Sequence, residues 1–322
     1  MRAVVLLLVA AAAVAVWSEA AVGGVLAAPG ASGEPAPTDA ADGAGSDAMA
    51  ARILMVFMAI AALGAVTALR GRGMFRKDAF SPARRHVGGV SALAWGLMAL
   101  GMLAGASVGG MIGRRIAVGF VGDDALRDAT IMGLMSAVVG LGVACLAPLL
   151  ARGVKRGGFR MAPADLVIGV GALLVAIPII WTLNVVSGWI AGAHARWRGT
   201  EPPTELAHET LRQLSERPGE VWWWAMAFVV VVASPLLEEV LYRGFLQSAV
   251  LRLTRSAWPA ILITSVLFTL AHLGAADVHA LPGLFALSVG MGMVFEKTGR
   301  IGAPVVMHAA FNALNLAVAS VV

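Results

Sequence analysis

Glu238 and Glu239 sit side by side in VWWWAMAFVVVVASPLLEEVLYRGFL, residues 221–246, a run otherwise apolar enough to cross a membrane as a helix. An ionisable side chain at membrane depth costs about 2.5–3.5 kcal/mol on insertion scales, so an intramembrane carboxylate is a functional-site hypothesis by default. Helical spacing divides the pair. Adjacent residues point about 100° apart. Glu239 and Arg243 are i,i+4 and share a face, and their pairing lowers the cost of burying both charges. Glu238 is left on another face, without an evident local partner. It is the carboxylate free for chemistry, unless both glutamates are scaffold charges between helices.

Two later runs supply more polar groups. In SVLFTLAHLG, residues 265–274, His272 is the one ionisable side chain, and Phe268 lies a turn earlier where its ring can pack beside the imidazole. In PVVMHAAFNALNL, residues 304–316, His308 and Asn312 are i,i+4 on one helical face. A Glu, two His and an Asn projecting into one bundle interior make a polar site in a dry setting. A carboxylate taken out of water suits general-base work, and with an imidazole it can polarise a water. A second His with an Asn can donate hydrogen bonds to a developing oxyanion. The same imidazoles, His272 and His308, could with Glu238 instead hold Zn2+ with one position open for water. Both routes lead to hydrolysis of an acyl bond. The one-helix zinc-protease pattern H-E-x-x-H is absent, so a metal site would be assembled across helices.

The elements that position these groups are transmembrane helices. The chain has 322 residues, of which 59% are hydrophobic and 13% charged. A soluble protein is about 45–50% apolar and about 25% charged. The composition predicts an all-α fold, a polytopic transmembrane bundle, because an open sheet cannot span lipid. Apolar runs at 53–69, 87–112, 129–151, 166–191, 221–241, 258–272, 281–295 and 303–321 predict about eight transmembrane helices. They follow a signal-like segment at 1–28, read as a signal peptide or an N-terminal anchor, and an Ala/Gly/Pro/Asp-rich flexible linker at 29–51. The transmembrane part divides into 52–220, which includes an amphipathic segment around Leu206–Leu214, and a catalytic-type region, 221–322.

Arginines and lysines concentrate in the loops around residues 70–85 and 152–160. The positive-inside rule puts these loops, and Arg252 and Arg255, on the cytoplasmic side. The net charge of +5 thus reads as topology and not as nucleic-acid binding. Cys145 is the single cysteine, which excludes an intrachain disulfide.

Taken together, E-E-V-L-Y-R at 238–243, F-T-L-A-H at 268–272 and H-A-A-F-N at 308–312 resemble the three motifs of the CPBP intramembrane metalloprotease family, which includes CAAX prenyl endopeptidases and bacteriocin-processing or self-immunity (Abi) proteins. The resemblance covers about the last hundred residues. It implies a catalytic cavity inside the membrane, with Glu238 and His272 activating water. His308 and Asn312 would stabilise the oxyanion, and Glu239, Arg243 and Phe268 would support the site. It also implies a membrane-associated protein or peptide substrate, a multi-pass location in a bacterial-type inner membrane, and either a zinc-dependent or a glutamate-dependent, metal-free mechanism. The competing readings are a non-catalytic scaffold or self-immunity protein on the same fold, and an ion-coupled transporter. The transporter reading lacks the inverted repeats it would favour.

Overall fold

The structure, a computed structural model, describes residues 43–81, 85–120, 122, 124–200, 214 and 219–320, with side chains from residue 52 onward. The expected signal-like segment lies outside these residues. So does the amphipathic segment near 206–214, except Leu214, which is buried.

All regular structure among the described residues is helical. Helix α1 (Gly43–Gly71) begins earlier than expected and takes residues 43–51 from the expected linker. Its opening sequence, GAGSDAMAA, is rich in alanine, the best helix former. The bundle continues with α2 (Ala92–Ala117), α3 (Ala125–Cys145), α4 (Ala164–Arg198), the composite α5 (Val221–Thr254), α6 (Ala257–Leu270), α7 (Leu281–Thr298) and α8 (Gly302–Ala319). Seven of these eight apolar helices are long enough to cross a membrane. Helix α6 has 14 residues. At 1.5 Å per residue it covers about 21 Å, short of a hydrocarbon core of about 30 Å.

Backbone proximity in lipid depends on small residues. Gly105, Gly109 and Gly113 recur every fourth residue on α2 and face α3. A Cβ at Gly113 would stand 2.7 Å from Met132 Cα, so nothing larger than glycine fits there. Helix α4 packs against α1, α7 and α8, while α5 runs among α2, α3, α6 and α8. Ion pairs at the loop ends lock this arrangement: Arg300 meets Asp165 at 2.6 Å, and the buried Arg85 meets Glu296 at 2.5 Å.

Helix α5 is the irregular one. Two π-helical segments, Val229–Ala233 and Val240–Leu246, flank the single α-helical stretch Ser234–Glu239 that carries the glutamate pair. In the first, Ser234 N–H bonds to Val229 O, five residues back. The next donor in that register would be residue 235. It is a proline and has no N–H. Val230 O is thereby left without its helical partner, and a side chain from another helix must satisfy it. Insertions of this kind often accompany functional sites, because they re-aim the side chains that follow.

Candidate active site

The glutamate pair leaves α5 toward two environments. Glu239 and Arg243 are both fully buried, and Arg243 Nε donates to Glu239 Oε2 at 2.9 Å. The i,i+4 pairing expected from the sequence is present. Arg243 also donates to Ser288 Oγ on α7 at 3.0 Å, and its guanidinium lies 5.3 Å from the centre of the Phe268 ring. The other Glu239 oxygen, Oε1, is 3.2 Å from His308 Nδ1 on α8. Glu239 therefore links Arg243 to His308. The sequence showed the first of these contacts and missed the second, because nothing in helical spacing registers α5 against α8.

Glu238 is 16% exposed, against 0% for Glu239. Its Oε1 accepts a hydrogen bond from Ser234 Oγ at 2.7 Å. The expectation that Glu238 lacks a local partner is corrected here. Ser234 lies four residues earlier, one turn back on the same face, and this i,i+4 relation was open to sequence inspection. The second oxygen, Oε2, is buried and has no hydrogen-bond partner. It stands 3.9 Å from His272 Nε2 and 3.9 Å from His308 Nε2.

The partners of the two imidazoles define their neutral tautomers. His272 Nδ1 is 2.8 Å from Phe268 O. A carbonyl only accepts, so Nδ1 carries the hydrogen and Nε2 presents a lone pair when the ring is neutral. His308 Nδ1 faces the Glu239 carboxylate, with the same consequence. Three acceptor atoms, Glu238 Oε2 and the two Nε2, thus point toward one small region. Such a cluster is stable when it shares protons from a bound donor. A water oxygen with bonds of about 2.8 Å closes a 3.9 Å span between two of these atoms.

A metal was the other expected occupant of this region. Zinc–nitrogen bonds of about 2.0–2.1 Å put neighbouring tetrahedral ligands about 3.3 Å apart. The spans here are wider, and among the described residues no three His, Cys, Asp or Glu side chains gather as a metal-holding group. A zinc site at His272 and His308 is not preformed in this arrangement.

Phe268 holds the imidazoles in place. It is fully buried. Its ring centroid lies 4.5 Å from that of His272, 5.7 Å from that of His308 and 5.2 Å from that of Tyr242. One aromatic side chain thus packs against groups from three helical segments.

Asn312 lies one turn beyond His308 on α8, as the spacing requires, and its Nδ2 donates to Val230 O at 2.8 Å. This is the carbonyl that the π segment and Pro235 leave unpaired. One of the two Asn312 N–H groups is therefore committed to α5. Ser234 and Ser288 are the site residues that sequence reasoning passed over. A serine in an apolar helix usually bonds back to its own turn, so residue type alone does not mark either one.

Comparison with known proteins agrees with the motif resemblance. Residues 220–314 match the family model described as Type II CAAX prenyl endopeptidase Rce1-like. That stretch takes in α5 to most of α8 and every residue of the cluster. No curated protein and no solved structure matches the chain.

Proposed function

From the match to a family of membrane proteases, we propose that this protein is an intramembrane endopeptidase that hydrolyses a peptide bond of a membrane-associated protein or peptide. The observation that carries the reading is the orphaned Glu238 Oε2, held 3.9 Å from two imidazole nitrogens inside an apolar bundle.

In this mechanism a water donates one hydrogen to Glu238 Oε2 and lies against His272 Nε2. Glu238 takes that proton as the water oxygen attacks the substrate carbonyl carbon. Ser234 holds the opposite carboxylate oxygen, so Oε2 stays aimed at the water. His308 borders the same region with its Nδ1–H held by the Glu239 carboxylate, and it would donate to the oxyanion through Nε2 once the proton shared in the cluster sits on that atom. The free N–H of Asn312 is the second candidate donor. Collapse of the tetrahedral intermediate breaks the C–N bond, and Glu238 returns its proton to the departing amine. The products are one acid and one amine, with Glu238 restored. Arg243 and Glu239 touch no reacting atom and act by holding His308.

Zinc dependence is the variant reading within the same function. It would require His272, His308 and Glu238 to draw together by roughly half an ångström. A second reading, a non-catalytic scaffold or self-immunity protein, is favoured by the full burial of Glu239 and Arg243, which suits a purely structural ion pair.

The deciding experiment compares membrane proteomes of a deletion strain complemented with wild type or Glu238→Ala at equal expression. Uncut precursors are expected to accumulate with Glu238→Ala as in the deletion. Identical processing with wild type and Glu238→Ala would overturn the assignment.

A further inference from the structure

Far from the glutamate pair, three basic segments meet at one end of the bundle. They are residues 85–89 ahead of α2, residues 152–156 after α3, and residues 251–255 at the end of α5. Together they line an open cavity of about 670 Å³, within the range of about 300–1,000 Å³ typical of small-molecule sites. Along α5, the distance from residue 238 to residue 252 is about 21 Å at 1.5 Å per residue. The cavity is therefore separate from the proposed active site.

Its lining is cationic. Arg152, Arg156, Arg252 and Arg255 line it, with His86 beside them and no carboxylate among the described lining residues. Arg85, the fifth arginine, is spent on structure. It pairs with Glu296, donates to Gly157 O at 3.0 Å and donates to Ser248 Oγ at 2.8 Å. The other four have no ion-pair partner among the described residues. Arg252 Nε is buried without any hydrogen-bond partner. The walls are held in position: His86 N–H bonds to Arg156 O at 3.1 Å, and Gly89 and Gly153 approach so closely that a Cβ on Gly153 would stand 2.9 Å from Gly89 O. Arg255 sits at φ 56°, a left-handed backbone conformation unusual for a residue other than glycine.

Positive loops are what membrane topology demands, but topology needs only their charge. It does not need four guanidinium groups, all without an ion-pair partner among the described residues, brought from two segments to one hollow beside a third. Planar guanidinium forks match phosphate oxygens bidentately. Basic pockets between transmembrane helices at the membrane surface hold phosphate head groups.

We propose that this cavity binds a phosphate-bearing anion, the headgroup of an anionic phospholipid, through Arg152, Arg156, Arg252 and Arg255. A lipid headgroup and a soluble phosphate ester share the recognised chemistry, and the test separates them.

The full-length protein, purified in a neutral detergent, is titrated with short-chain phosphatidylglycerol, with short-chain phosphatidylcholine and with glycerol phosphate. Binding is read by intrinsic tryptophan fluorescence and by native mass spectrometry. Saturable binding of phosphatidylglycerol is expected, with phosphatidylcholine at least tenfold weaker. Each substitution of Arg152→Gln or Arg252→Gln is expected to weaken binding about fivefold, as for one basic residue facing an anionic headgroup. Arg152 is exposed, so Arg152→Gln leaves the fold intact and tests the site even if Arg252→Gln does not fold. Equal affinity for glycerol phosphate would keep the anion site and assign it to a soluble ester. Binding of every probe unchanged in Arg152→Gln, or the same for phosphatidylcholine as for phosphatidylglycerol, would overturn the proposal.

Discussion

Glu238→Gln and Glu239→Gln make the same chemical change one residue apart, and the structure separates their consequences. Glu239 uses both oxygens, one for Arg243 Nε at 2.9 Å and one for His308 Nδ1 at 3.2 Å, with no exposure to solvent. A neutral amide there leaves the Arg243 charge buried with Ser288 Oγ and the amide oxygen as its remaining partners. Breaking a buried pair from one side costs about 3–5 kcal/mol. At about 2–4 °C per kcal/mol for a protein of 150–250 residues, the midpoint of unfolding should fall by roughly 6–20 °C. Glu238 behaves differently. The amide oxygen of a glutamine still accepts from Ser234, and its amine meets the lone pairs of His272 and His308. Stability should be unchanged or slightly raised. Catalysis should fall by about 10²–10⁴, the usual contribution of a general base, equivalent to about 2.7–5.5 kcal/mol of barrier. Thermal unfolding in detergent and cleavage of a membrane-embedded peptide in proteoliposomes measure the two quantities on the same preparations. The reasoning is refuted if Glu238→Gln loses stability as Glu239→Gln does, or if it cleaves at the wild-type rate.

Ser234→Ala removes a hydrogen bond to a carboxylate and should lower the cleavage rate by roughly tenfold or more, with the unfolding midpoint little changed. A rate equal to wild type would show that the Glu238 carboxylate is aimed by other contacts. Asn312→Ala uncovers Val230 O inside the bundle and should cost about 1–3 kcal/mol of stability. A loss of turnover beyond about a hundredfold in the protein that remains folded would point to an additional role at the oxyanion. Gly113→Leu drives a side chain into the Met132 backbone, so the purified protein should be poorly folded by size-exclusion profile and circular dichroism. Elemental analysis paired with chelator treatment tests the cofactor: under the glutamate mechanism, activity persists with substoichiometric zinc, whereas chelator-sensitive activity restored by zinc would favour the metal variant.

Much of this protein was legible from one dimension. Apolar runs longer than a bilayer core can only be helices, since lipid offers no partner for a free N–H or C=O, so the class of fold followed from composition and run length. Glu238, His272 and His308 stood out because charge in an apolar run is costly. The Glu239–Arg243 pair followed because i and i+4 are neighbours on any helix. Spacing along one helix says nothing about register between helices, and what remained undetermined lies there. Only the packing of α5 against α8 sets His308 on Glu239 and gives Asn312 the carbonyl that Pro235 orphans. Only the convergence of three segments distant in sequence gathers topology-setting arginines around one open cavity. Glu238 and Glu239 are chemically identical in the sequence. They differ because the fold surrounds one with an arginine and a histidine and leaves an oxygen of the other unpaired between two imidazoles.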